Sequence, residues 1–103
     1  MTAPSSVFAS SAGAPEPGSE SETAQAIFFV TAIADPGLAP RLIEPFAKLG
    51  LVPSRVHISS EDGAGEEISA DLRLRDVTRK TVHVIDKALR GIIGVRTVIA
   101  LIE

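Results

Sequence analysis

The chain has 103 residues, room for one domain, and no cysteine, so disulfides and thiolate-bound metals are excluded. Its formal charge of −3 belongs to the first 25 residues, where Glu16, Glu20 and Glu22 meet no Lys or Arg. The neutral remainder, with its signs interspersed, lacks the basic stripe that nucleic-acid binding requires.

Residues 1–25 are rich in Ser, Ala, Pro, Gly and Glu, with Val7 and Phe8 the only large apolar side chains. They cannot bury enough surface to offset the entropy of ordering, and are expected to form a disordered tail ahead of a domain at 26–103. They carry neither the positive and apolar regions of a signal peptide nor the arginines of a transit peptide, so a cytoplasmic location is expected. No apolar run approaches the ~20 residues of a membrane span. Residues 26–33 are apolar on both faces of a strand, with Ile27, Phe29 and Ile33 on one side and Phe28, Val30 and Ala32 on the other, as in a central strand covered twice.

Asp35 is placed to cap the next element and Pro36 to occupy its first turn. Leu38, Leu42, Phe46 and Leu49 then share a helical face, and Gly50 follows at the position that closes helices. Pro40 restricts the start to about Leu38 or Ala39, and Pro45 predicts a short, bent helix. Residues 51–59 read as an edge strand, with Val52, Val56 and Ile58 opposed to Arg55, His57 and Ser59, and Pro53 near its start. A turn is expected over Glu61-Asp62-Gly63-Ala64-Gly65, then a half-buried strand from Ile68 to Arg75. Asp76 or Thr78 caps a second helix running to about Arg90. Its inner face is expected from Val77, Thr81, Ile85, Ala88 and Ile92, widened by Val82 and Leu89. Gly91 ends it, Gly94 turns the chain, and Val95–Ile102 forms a last strand.

This β-α-β-β-α-β order with right-handed crossovers predicts an α+β, ferredoxin-like sandwich. Its four-stranded antiparallel sheet has spatial order 4-1-3-2, with two helices on one face. Such a fold hosts many functions, so the site must decide. A metal carrier of this shape needs paired cysteines, and an RNA-recognition module needs an aromatic platform. The third strand has no aromatic, and the chain has no Tyr or Trp.

Asp35-Pro36-Gly37-Leu38-Ala39-Pro40-Arg41-Leu42, followed by Phe46-Ala47-Lys48-Leu49-Gly50-Leu51 and a late Gly94-Val95, resembles the ACT domain, a small regulatory module that senses amino acids. The resemblance covers about residues 26–103. It departs in Asp35 abutting Pro36, in Ala39 where a core leucine is common, in Pro40 and Pro45, and in Pro53 near the second strand. It implies a non-catalytic regulatory role, with an amino acid or similar ligand held between subunits, against the first strand–helix turn of one and the second strand of its neighbour. Carried over by position, the ligand-binding residues are Asp35, Gly37, Leu38, Val52 and Ser54. The alternative is a module without ligand, acting through protein contacts like the small regulatory subunit of acetolactate synthase.

Neither cofactor nor metal is expected, and no catalytic constellation is present. His57 and His83 read as surface groups. Glu61, Asp62, Glu66 and Glu67 fit no calcium loop. Arg73, Arg75, Arg79 and Lys80 form a basic cluster interleaved with Asp71 and Asp76. The sheet face away from the helices is expected to be apolar, through Phe28, Val30 and Ala32 with Val98, Ala100 and Ile102. An apolar face of this kind calls for cover by a second copy, by another protein such as a larger enzyme subunit, or by the N-terminal tail.

Overall fold

A computed structural model describes residues 22–60 and 66–103. The expected tail, up to residue 21, and the turn Glu61–Gly65 lie outside the described residues. The elements follow in the expected order: β1 (Thr23–Ile33), α1 (Leu38–Lys48), β2 (Arg55–Ser60), β3 (Glu67–Thr78), α2 (Arg79–Arg90) and β4 (Val95–Ile102). One antiparallel sheet is ordered β2-β3-β1-β4, the predicted order read from the other edge. β1 starts three residues earlier than its apolar run. Thr23 and Ala24 pair with Thr78 and Val77, and Gln25 exchanges both backbone hydrogen bonds with Glu103.

Two prolines shape α1 less than their number suggests. With Gly37 as N-cap, Pro40 falls among the first residues, whose N–H groups have no helical acceptor, so its missing donor costs nothing. Pro45 lies inside the helix, which nevertheless continues three residues further while Leu38, Leu42 and Phe46 are fully buried. Burial of that apolar stripe is the term that offsets the lost Arg41 carbonyl bond. Gly50 closes the helix at φ 71°, Leu51 N–H bonding Phe46 O at 2.9 Å and Gly50 N–H bonding Ala47 O at 3.0 Å, a Schellman motif. That motif carries the chain away from the sheet, so β2 begins at Arg55 rather than at residue 51.

α2 is capped by Thr78, whose hydroxyl accepts from Thr81 N–H at 3.2 Å; Asp76 takes no part. Its buried residues are Val82, Ile85 and Leu89, whereas Ala88 is exposed, Thr81 half-buried and Val77 part of β3. The core forms between the helices and the Ala26, Phe28 and Val30 side of β1, joined by Ala70, Leu72 and Leu74 from β3 and Val98 from β4. Phe28 and Phe46 meet edge to face with centroids 6.0 Å apart, a geometry worth ~0.5–1.5 kcal/mol beyond area burial.

Two β-bulges set the phase of the sheet. Between Ala24/Val77 and Ala26/Leu74, β1 advances two residues while β3 advances three, and Asp76 takes a left-handed φ of 57° to absorb the extra one. Val77 thereby returns to the helix side and enters the core. Between Thr31/Thr97 and Ala32/Val95, β4 carries the extra residue. Val95 packs against the core and Arg96 turns outward to Glu67 at 2.9 Å. Both bulges keep a charged residue out of the apolar layer.

Candidate functional site

The turn at the end of β1 is built by Asp35. Its backbone carbonyl accepts from Leu38 N–H at 2.9 Å and its Oδ1 from Gly37 N–H at 3.1 Å. These bonds make a β-turn reinforced by an Asx turn. The N-cap is therefore Gly37, with no side-chain cap, and not Asp35. Gly37 has φ −80° and ψ −8°, which any residue adopts. The glycine whose absence of a side chain the fold requires is Gly94. With φ 102°, a Cβ there would lie 3.1 Å from Ile33 Cγ1 and 3.2 Å from Leu38 Cδ2.

Of the backbone donors at this helix start, Gly37 and Leu38 already serve Asp35, and Pro36 and Pro40 have none. Ala39 N–H is the donor left in this first turn, and the positive group beside it is Arg41. The Arg41 guanidinium folds back over Gly37, its Nη2 3.4 Å from where a Cβ would stand. Arg41 and Glu44 then line a shallow open depression with Gly91, Ile92 and Ile93. Arg41 was not among the residues expected to bind ligand. Its spacing of four from Gly37, one helical turn, was the available signal.

The remaining expected ligand residues are not brought together within one chain. Leu38 is wholly buried beneath the turn, while Asp35 is exposed. Val52 lies outside β2 and is 87% exposed. Ser54, also outside it, bonds Arg73 O through its N–H at 2.8 Å. Arg73 pairs with Ile27, six residues before Ile33, so Ser54 and the Asp35 turn lie roughly 20 Å apart along the sheet at 3.3 Å per residue. A site using both needs a second protomer.

The open face of the sheet differs from the expected one. Phe28, Val30, Ala32 and Val98 point toward the helices and are buried, Ala100 packs against the same core, and Ile102 is opposite Ala26 at the sheet end. None of them forms the outer surface. That surface is read in rows across β2, β3, β1 and β4: Ser59, Ser69, Thr31, Thr97; His57, Asp71, Phe29, Ile99; and Arg55, Arg73, Ile27, Leu101. The β1–β4 half is apolar, with Phe29 39%, Ile99 56% and Leu101 46% exposed. Ile27 is buried although it lies outside the helix-side core cluster, covered by its neighbours on the open face.

The other half is ionic. Asp71 bonds Arg73 through both oxygens, at 2.9 and 3.0 Å, and lies 3.8 Å from Arg55. The Arg73 hydrogen bond, helped by the charges of Arg73, Arg55 and His57 and opposed by burial, holds the Asp71 carboxyl below its usual range. The same contact raises the Arg73 guanidinium. Of the basic cluster seen in sequence, Arg73 belongs to this face, whereas Arg79 and Lys80 open α2. His83 is exposed on α2. No group of three metal-ligating side chains occurs among the described residues, and none of their helices is long and apolar enough to cross a membrane.

Fold and topology define the class, a ferredoxin-like α+β sandwich. More narrowly, the chain has the fold of an ACT domain. It superposes on the crystal structure of the ACT domain from GTP pyrophosphokinase of Chlorobium tepidum with a TM-score of 0.66 at 15% identity, covering 78% of this chain and 100% of that one. The solution structure of the same domain gives 0.62 at 16% identity, over 75% and 84%. An uncharacterized protein from Thermotoga maritima matches with a TM-score of 0.64 at 15% identity, over 79% and 98%. No family model matches the chain, and no curated protein matches it.

Proposed function

We propose that this protein is a non-catalytic regulatory module of the ACT type that binds a free amino acid or a similar small zwitterion in the cytoplasm. The observation that carries this reading is the pairing of opposite charges around Gly37. The exposed Asp35 carboxylate accepts from Gly37 N–H, the Arg41 guanidinium folds over the same glycine, and Arg41 makes no ion pair among the described residues. An α-amino acid offers the complementary pair, its ammonium to Asp35 and its carboxylate to Arg41. The separation of Ser54 from this turn supports a site completed by a second protomer, with Val52 and Ser54 supplied by the neighbour. Titration calorimetry with a panel of amino acids tests the reading. Heat is expected for at least one of them and is lost in Arg41→Ala. Absence of heat across the panel overturns it.

The apolar half of the open face favours a second reading, a module that docks on a larger biosynthetic enzyme without ligand, as a small regulatory subunit does. Phe29, Ile99 and Leu101 are the contact residues on that reading. It predicts no heat with amino acids and loss of enzyme association on Phe29→Ser.

A further inference from the structure

β4 is an edge strand, and its pairing with β1 fixes which of its backbone groups look outward. Gln25 and Glu103 exchange both N–H···O bonds, and in an antiparallel ladder such pairs alternate with pairs that do not bond. Along the register Ile27/Leu101, Phe29/Ile99 and Thr31/Thr97, the odd residues of β4 therefore bond to β1. Val98, Ala100 and Ile102 turn their N–H and C=O groups to the outside. One of these groups is occupied: Arg90, at the end of α2, donates from Nη2 to Val98 O at 2.7 Å. The same guanidinium is tethered through Nε to both oxygens of Asp86 at 3.1 Å.

The exposed edge is self-complementary. Thr97–Ile102 is an uncharged run of β-branched and apolar residues, flanked by Arg96 on one side and Glu103 on the other. Under a two-fold axis at Ala100, an antiparallel second β4 sets Val98 opposite Ile102, Ile99 opposite Leu101 and Thr97 opposite Glu103. The outward groups of each strand then meet those of the other. The half-exposed Ile99 and Leu101 would cover each other across the seam. Arg96, beside Thr97 on the open face, stays with Glu67 of its own chain at 2.9 Å, across the sheet and away from this edge.

We propose that the outer edge of β4 is a pairing surface for the β4 of a second copy, and that Arg90, held by Asp86 on the Val98 carbonyl, keeps that edge closed. Strand addition needs the Val98 carbonyl for the Ile102 N–H of the partner, so the two bonds compete. An unguarded apolar edge is the usual route to unwanted pairing, and a charged side chain laid across it is the usual defence. The proposal does not depend on ligand binding.

Sedimentation equilibrium on the full chain tests it. Arg90→Ala is expected to tighten self-association at least tenfold, the scale of competition by one charge-assisted bond. Asp86→Asn, which frees the tether but leaves the arginine, shifts it less in the same direction and serves if Arg90→Ala does not fold. Ala100→Pro removes an outward N–H that the monomer does not use, so added to either variant it restores the wild-type association. Equal association of wild type and both variants overturns the proposal. So does an Arg90→Ala dimer that persists with Ala100→Pro, since its interface is then elsewhere.

Discussion

The two sides of β1 carry nearly the same letters and lead different lives. Phe28 is sealed between α1, β3 and β4, edge to face with Phe46. Phe29, its neighbour in sequence, stands 39% exposed between Asp71 and Ile99. Hydrophobicity cannot tell them apart, because it is a property of the residue, whereas burial is a property of what the topology brings overhead. Helices over one face make that face the source of stability and leave the other free for contact.

The largest expected effect separates the two faces directly. Phe28→Ala empties a closed core position and should cost ~3–5 kcal/mol. Phe29→Ala, with Phe29 39% exposed, should cost only ~1–2 kcal/mol. Urea unfolding of the two variants measures both, and comparable losses would show that the open face is covered in the isolated protein. The helix starts offer a smaller contrast. Thr78→Ala removes the hydroxyl that caps α2 and should cost ~1 kcal/mol. Asp35→Ala removes only an Asx bond, since Gly37 is the cap of α1, and should cost less in the same assay.

The smallest effect lies in the ionic half of the open face. Because the folded-state value of Asp71 is lowered, its contribution is present above the unfolded carboxylate range near ~4 and is lost as pH falls through the lowered value. Asp71→Asn should therefore lower stability by ~1 kcal/mol at neutral pH. Thermal melts at descending pH should show that gap closing below about pH 4. A gap that persists in acid would mean that Asp71 acts by packing and not by charge.

Element order and sheet order were legible because period-2 and period-3.6 patterns alternate cleanly along the chain, and because right-handed crossovers leave few arrangements. The face assignment was not, although a signal existed. β3 alternates clearly, with Ala70, Leu72 and Leu74 apolar, and its register sets Leu72 against Phe28. Partners share a face, so the unambiguous strand fixes the ambiguous one once the register is known. Single-strand patterns contain no register, and Asp76 and Arg96 shift it where the alternation looks unbroken. In the candidate site, the Asp35-Pro36-Gly37 turn was visible from its residue types. For Arg41 the spacing of four from Gly37 put the two on one helical face, but that its guanidinium folds back over the glycine depends on the rotamer of a long side chain.

Those two extra residues make the strands behave like text with an inserted letter. Everything on the near side of each bulge can change without disturbing the far side, because phase is reset there. Straightening β3 with Asp76 kept as an ordinary paired residue would leave the composition of the strand intact and yet send Val77 to the solvent and its neighbour Thr78 toward the core. The chain would keep its vocabulary and lose its grammar.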